Sequence, residues 1–422
     1  MKVFKFGGAS LESIERIQHV GSILQSFPGE SLLIVISAMG KSTNELEEVA
    51  ENYFRRRREI AAQLLFNLEQ KHTDLAEELL QTKEHPVFDQ LRQFFTEMEW
   101  QLGEKPYNGY DYYYDQLVSM GELLSSALVS AYLNKTGVLN QWIDVRDIIR
   151  TDDTFREGVI DWNYTQRQVK NKVLPLFEKY PLIITQGFIG ATDQNNTTTL
   201  GREGSDYTAA VLTNMLGAES LTIWKDVEGL KNADPKIFAD TVNISEINYS
   251  EVIEMAYYGA QVIHPKTIKP LQNKKIPLYV KCFLDMDLPG TVIGDSTETK
   301  YLPPIIVLKK NQVLITVTAR DFSFITEENI SRLYTIFNRL KIKINLMQNA
   351  AISFSCCIDH NTEKIEQLIK ALHKDFTLSY QEGLQMLTVR HYKPELVSEL
   401  IQGKKIFLEQ KSPLTVQLVM KG

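Results

Sequence analysis

The 422-residue chain is poor in cysteine: Cys282, Cys356 and Cys357 are the only three. They offer neither a disulfide framework nor metal-ligand spacing. Cys356-Cys357 sits in a strand-like run, where thiols serve as small buried hydrophobes, and a reducing cytoplasm fits that usage. An excess of positive charge is missing too. The formal net charge is −7, opposite to the basic footprint of a nucleic-acid binder. The single basic run, Arg55 to Arg58, lies among Glu47, Glu48, Glu51 and Glu59 and reads as a solvated helix face. No apolar run approaches membrane-spanning length, and the chain opens directly on a strand, VFKF, without a signal-peptide core. These absences predict a soluble cytoplasmic protein with no nucleic-acid or membrane partner. What remains is ordinary globular material, 43% apolar and 23% charged, enough for two or three domains.

The most informative stretch runs from Leu182 to Gly229. An apolar strand, Leu182 to Thr185, breaks into a loop holding Gly187, Gly190, Gly201 and Gly204, with Arg202, Ser205 and Asp206 alongside. A helix pattern starts at once (Tyr207, Ala210, Val211, Met215), and a second strand, Ser220 to Trp224, ends in Lys225-Asp226. Strand, glycine loop, helix and strand are the layout of an open α/β sheet, whose ligands sit outside the carboxyl ends of the strands. Loop N–H groups and a helix N-terminus favour an anion, and the Arg202 guanidinium can grip a carboxylate bidentately. The expected ligand is an anionic small molecule.

The rest of the chain repeats the theme. Met1 to Phe6 reads as a buried strand followed by Gly7-Gly8-Ala9-Ser10; the glycines permit close backbone approach, Ser10 can cap a helix from Leu11, and Lys5 brings a cation. It is not a Walker A loop, since no GxxxxGK[ST] occurs. A second strand, Ser31 to Ser37, opens into a small-residue loop, Ala38 to Asn44. Glu45 to about Leu102 is helical and highly charged, an insertion over the sheet. Tyr107 to Tyr114 is either a loop packed on the site or core filling. The helix from about Tyr114 to Leu133 carries Glu122 amid apolar neighbours, either as an exposed charge or as a buried group needing a cation. A polar, proline-ended linker, Asp295 to Pro304, divides the chain into domains at 1–296 and 304–422. Beyond it come Ile305–Leu308, Val313–Thr318, a helix Glu327–Leu340, Ile342–Met347, Ile352–Ile358 and a helix Thr362–Leu372, in the order of a ferredoxin-like α+β module. Part of this recurs at Met386–Arg390, Pro394–Ile401, Ile406–Gln410 and Thr415–Met420, and stops without a second helix. The fold class is therefore an open, mostly parallel α/β sheet with helices on both faces, followed by smaller α+β modules.

With KFGGAS, GELLSSAL, TTTLGREGSDYTAA, WKDVEG and GAQVIHPKT in this order, the chain closely resembles the aspartate kinases of the amino acid kinase family. The resemblance covers nearly the whole chain and implies tandem ACT-type regulatory modules after Pro304, the second truncated. It implies transfer of the ATP γ-phosphoryl to the β-carboxylate of L-aspartate with Mg²⁺, the entry step to lysine, threonine, methionine and diaminopimelate, and a homo-oligomer. By motif position, Lys5, Gly7, Gly8 and Ser10 resemble the phosphate-binding turn, and Thr43 the threonine of the SAxxxxTN loop. Glu122 matches the substrate glutamate, and Arg202, Ser205 and Asp206 the substrate loop. Lys225, Asp226, Lys231, Lys236, Gln261 and Val262 fall on nucleotide-binding segments. Lys5 and Asp206 are the expected catalytic pair. The weighed alternatives are another kinase of the family, acting on glutamate, carbamate or UMP, and a non-catalytic amino-acid sensor.

Three positions depart from the family pattern. Glu203 replaces the second glycine of GRGGSD, and a positive φ there would strain it. Lys225 stands where Ser or Thr is usual, and Gln261 where many members carry a lysine; Lys225 is expected to supply the cation that Gln261 does not. In lysine-inhibited relatives the effector lies between ACT modules, at positions matching Asp321 to Ser323 and Asn345 to Ala350 here. The implied effector residues are Phe322, Asn345, Gln348 and Asn349. Asn345 replaces an expected acid, which argues against lysine inhibition.

Overall fold

The computed structural model describes residues 1–260, 263–295, 302–320 and 323–421. Contacts divide the chain into two compact units: Met1–Leu230 with Ser245–Ile253 and Val262–Glu298, and Lys231–Ile244 with Glu254–Gln261 and Thr299–Gly422.

Apolar runs make the central strands of the first unit's main sheet, with short, more polar strands at its edges. They are β1 (Lys2–Phe6), β2 (Leu32–Ile36), β3 (Asn140–Trp142), β4 (Leu182–Gln186), β5 (Leu221–Lys225), β6 (Glu246–Asn248), β7 (Leu278–Cys282) and β8 (Thr291–Gly294). All five residues of β2 and of β4 are buried, the pattern of a parallel sheet covered on both faces. Together they form one eight-stranded sheet, ordered β6-β8-β7-β5-β1-β2-β4-β3, in which only the β7–β8 pair is antiparallel. Phe6 lies in register with Ile36 and Trp224, and Ile36 with Gln186, so β1, β2, β4 and β5 end together at one edge. Side chains alternate along a strand. Phe4 and Phe6 pack on Trp224, with centroids 5.8 and 6.0 Å away, and Lys5 between them faces the opposite side.

The helices of this unit include α1 (Ile14–Gln25), α2 (Ser42–Phe54), α3 (Arg58–Leu80), α4 (Val87–Gly103), α5 (Tyr110–Val118), α6 (Met120–Lys135), α7 (Gly204–Leu216), α8 (Tyr249–Tyr258), of which residues 249–253 fall in this unit, and α9 (Pro265–Gln272). The charged insertion is helical as expected, forming α2 to α4. Two local readings change. Ser10 lies in a short 3-10 turn, Gly8–Leu11, and the cap of α1 is Ser13, whose hydroxyl accepts from the Arg16 N–H at 3.4 Å. The tyrosine run is core filling only at its end: Tyr107 is exposed, whereas Tyr113 is buried, its ring meets Tyr53 edge-on at 5.2 Å, and its hydroxyl accepts the Tyr107 N–H.

The second unit holds a six-stranded antiparallel sheet of β9 (Ile305–Ala319), β10 (Ile344–Asn349), β11 (Ser353–Asp359), β12 (Phe376–Arg390), β13 (Lys405–Lys411) and β14 (Thr415–Lys421). Its order is β10-β11-β9-β12-β14-β13. The two segments expected at Ile305–Leu308 and Val313–Thr318 are one 15-residue strand, interrupted by register shifts between Lys309 and Leu314. Its first half pairs with Met386–Arg390 and completes the second module's sheet, and its second half pairs with Phe376–Gln381 in the first. Helices α10 (Glu327–Arg339) and α11 (Thr362–Leu372) cover a core of Val313, Ile315, Phe354 and Cys356. Helix α12 (Pro394–Leu400) covers Ile306, Leu387 and Leu418. Cys356 and Cys357 point into different apolar clusters, and burial pushes both thiols well up, Cys357 to about 12.

Candidate active site

The shared carboxyl edge of β1, β2, β4 and β5 gathers most of the sequence-predicted residues. From β1, Lys5 reaches α7, where its Nζ lies 2.6 Å from Asp206 Oδ1; from β5, Lys225 Nζ lies 3.7 Å from Asp206 Oδ2. Asp206 is 3% exposed. Burial alone would raise its pKa, but the ammonium groups of Lys5 and Lys225 hold it below the usual carboxylate range. The aspartate stays charged.

Helix α7 can approach this edge because residue 187 has no side chain: a Cβ there would lie 2.5 Å from the Ser205 Cβ. Ser205 and Asp206, in the first turn of α7, are thereby packed onto the end of β4. The turn after β1 meets the loop after β2 directly, through the Gly40 N–H to the Gly8 carbonyl at 3.0 Å. Ser10 is buried, and its N–H donates to the Gly7 carbonyl at 2.9 Å. A Cβ at Gly121 would lie 2.9 Å from the Ala38 Cβ, so α6 starts hard against that same loop.

That contact settles Glu122. It is a buried carboxylate, 3% exposed, whose Oε1 accepts the Ala38 N–H at 3.3 Å. Its Oε2 is buried with no hydrogen-bond partner among the described residues. Burial pushes the carboxyl up to about 8, against the opposing pull of the Ala38 N–H and the Lys5 charge. An unsatisfied buried carboxyl oxygen can accept a hydrogen bond from a ligand cation.

Thr43 is half-buried in the first turn of α2, and Arg202 is exposed in the loop before α7. Asp226 is exposed beyond the end of β5. Lys231 and Lys236 belong to the second unit. Gln261, Val262 and Phe322 lie outside the described residues. Glu203 does adopt a left-handed conformation (φ 54°), and its Oε2 accepts the His264 N–H at 2.8 Å. In the second unit, Asn345 is buried and fully engaged. Its Nδ2 donates to Gln312 Oε1 at 2.8 Å and Asp359 Oδ1 at 3.0 Å, and its Oδ1 accepts from Lys309 Nζ at 2.9 Å. Gln348 and Asn349 are exposed on β10.

Two site features escaped the sequence. Ser42, next to Thr43, is fully buried with its hydroxyl unpartnered among the described residues. The Ala38 N–H that orients Glu122 is a backbone group, which no side-chain motif reveals.

Comparisons with known proteins identify the family and the fold. The sequence profile of the amino acid kinase family matches residues 1–282. The chain is 32% identical over 317 residues to lysine-sensitive aspartokinase 3 of Escherichia coli (strain K12), covering 73% of this chain and 69% of that protein. It is 29% identical over 443 aligned positions to the chloroplastic aspartokinase 2 of Arabidopsis thaliana, covering 100% of this chain and 79% of that one. The crystal structure of E. coli aspartokinase III in complex with aspartate and ADP superposes with a TM-score of 0.82 at 26% identity, covering 100% of this chain and 96% of that one. By its profile, its relatives and its fold, the chain belongs to the amino acid kinase family, within its aspartokinase group.

Proposed function

We propose that this chain transfers the γ-phosphoryl group of ATP to the β-carboxylate of L-aspartate, giving 4-phospho-L-aspartate and ADP. The observation that carries the reading is the buried, half-satisfied Glu122 carboxyl beside the Lys5–Asp206 pair: one end of the pocket is made for an ammonium and the other for an anion. The relative of known structure was crystallised with aspartate and ADP, which supports both substrates.

The attacking β-carboxylate has an ordinary pKa of about 3.9 and is already ionised, so no general base is needed. One carboxylate oxygen attacks the γ-phosphorus while the bond from phosphorus to the ADP oxygen breaks, and ADP leaves with that electron pair. No proton moves. The protein's task is to align the two anions and to neutralise charge on the phosphoryl oxygens. Lys5 serves the phosphoryl group. Asp206, with both oxygens turned towards lysines, organises those cations rather than accepting a proton. Glu122 takes the substrate ammonium, Arg202 its α-carboxylate, and Thr43 and Ser205 line the same subsite. Gly7, Gly8 and Ser10 serve the phosphates, and Asp226 and Val262 the rest of the nucleotide. Asp206 is occupied by ammonium groups, so the Mg²⁺ that accompanies ATP would be held by the phosphates; it supplies further charge neutralisation when bound.

Further parts of this reading are a cytoplasmic location, an amino-acid effector at the C-terminal modules and a homodimer through their sheets. No helix among the described residues is long and apolar enough to cross a membrane. A hydroxamate assay with ATP, Mg²⁺ and either aspartate or glutamate tests the central claim. Acyl hydroxamate should form with aspartate; none with aspartate would sink it.

A further inference from the structure

Helix α5 holds the strand that feeds the substrate loop. After β4 the chain forms a short antiparallel hairpin, Ile189–Ala191 with Thr197–Thr199, and the second strand runs straight into Leu200-Gly201-Arg202. Two adjacent side chains of α5 grip that strand. Gln116 accepts the Thr197 N–H at 3.2 Å and donates to the Thr197 carbonyl at 2.8 Å. Asp115 Oδ2 accepts the Thr199 N–H at 2.8 Å and the Arg156 N–H at 2.9 Å, and its Oδ1 accepts the Thr199 hydroxyl at 2.7 Å. Asp115 and Thr199 are both fully buried. A buried carboxylate is tolerated when several donors converge on it, and such charge-assisted bonds are stiffer than neutral ones. The segment joined through Arg156 also backs the loop: a Cβ at Gly201 would lie 3.1 Å from the Arg156 carbonyl. Arg202 itself is exposed, between Gly201 (φ 76°) and Glu203 (φ 54°), so the anchors at the loop's ends set its course. Past Ser119, α5 gives way to α6, whose first turn carries Glu122.

The geometry points to Asp115 as a positioning residue for aspartate: by tying Thr199 and Arg156 to α5, it sets the separation between the Arg202 guanidinium and the Glu122 carboxyl. This rests on the kinase reading above, in which Arg202 takes the α-carboxylate and Glu122 the ammonium. Those two groups flank the substrate's α-carbon. Their separation therefore decides whether the β-carboxylate points at the phosphoryl group. Asp115 touches neither substrate and acts through Arg202.

The test is a double-mutant cycle of D115A and R202M, read by steady-state kinetics. D115A should lose about 10²-fold in kcat/KM for aspartate, the scale of a misplacement of about 1 Å, mostly as a raised KM. KM for ATP should stay within about twofold of wild type. In the R202M background, D115A should add little to KM for aspartate, because its effect travels through that guanidinium. Should D115A fail to fold, T199V keeps the shape and the N–H, removes one of the three bonds, and should raise KM for aspartate about fivefold. A carboxylate that only stabilised the fold would lower the active fraction and leave that KM alone. An unchanged KM for aspartate in D115A, or in T199V where D115A does not fold, would overturn the proposal, and so would full additivity with R202M. Brief trypsin digestion reads the loop without turnover and should cut after Arg202 sooner in D115A than in wild type. If wild type makes no aspartyl hydroxamate, the kinase reading fails; equal cutting after Arg202 in the two proteins would then reject the positioning role as well.

Discussion

Glu122 should make the free enzyme less stable as pH rises, and removing its charge should reverse that. An unfolded glutamate titrates near 4.5, whereas burial pushes Glu122 up to about 8 in the fold. Between those values the folded protein holds a proton that the unfolded chain has released, so stability falls as pH rises, by about 1.4 kcal/mol per unit. Below pH 4.5 the group contributes no penalty; by pH 8 the accumulated penalty is about 4 kcal/mol. Glu122→Gln keeps the acceptor for the Ala38 N–H and does not titrate. Differential scanning calorimetry from pH 5 to 8.5 should show wild type and variant converging at low pH. Near pH 8 the variant should melt about 8 °C higher, in the transition that aspartate shifts in wild type. The same proton governs binding. Only ionised Glu122 can pair with the substrate ammonium, and its ionised fraction rises from about a tenth at pH 7 to about half at pH 8, so apparent aspartate affinity should improve about fivefold. The variant should bind aspartate poorly at every pH. Parallel stability profiles for the two proteins, or a wild type that gains stability with pH over this range, would refute the reasoning.

Glu203 combines a left-handed backbone with a useful side chain, so its substitutions should separate the two effects. Glu203→Gly relieves about 1 kcal/mol of strain but loses the bond to His264, leaving stability nearly unchanged; Glu203→Ala keeps the strain, loses the bond and should fall by about 1 kcal/mol in urea unfolding. Equal losses in both would remove the strain from the account. Asp115 is fully buried and accepts the Thr199 and Arg156 N–H groups at 2.8 and 2.9 Å, so Asp115→Ala should cost about 3 kcal/mol by denaturant titration. Because Asn345 is committed to Lys309, Gln312 and Asp359, titrating lysine or threonine into the kinase assay should leave the rate flat. Inhibition by lysine would show that this cluster opens.

The parts of the fold that the sequence reveals are those with local causes. Leu32–Ile36 is apolar throughout and Leu182–Gln186 begins with three apolar residues, and glycine loops follow both strands, so the sheet and its ligand-binding edge follow from periodicity and turn chemistry. The Lys5–Asp206 contact joins residues about two hundred positions apart, and motif order suggests it while spacing cannot. Glu122 stayed open because a carboxylate after a glycine on an apolar helix fits two environments; only the closeness of Gly121 to Ala38 decides between them. The helix cap went to Ser13 rather than Ser10 because a 3-10 turn intervenes, and such turns carry little sequence signature. The long strand Ile305–Ala319 reads from sequence as two segments, because the polar run Lys309-Lys310-Asn311-Gln312 separates two apolar ones. In the fold those residues form an irregularity within a continuous strand, with Asn311 at φ 55°.

That strand has a practical bearing on anyone who would cut the protein. β9 and β12 each serve both halves of the C-terminal sheet, so the seam between modules runs across two strands rather than through a linker. Removing the chain after Arg390 would strip β14 from β12, leaving β12 as an exposed edge, and would uncover Leu387, Val389 and Ile306 on the sheet face, a surface prone to self-association. The pair should therefore unfold, resist protease and be inherited as one cooperative block, and exchanging a single module with a relative would require re-pairing half of each shared strand.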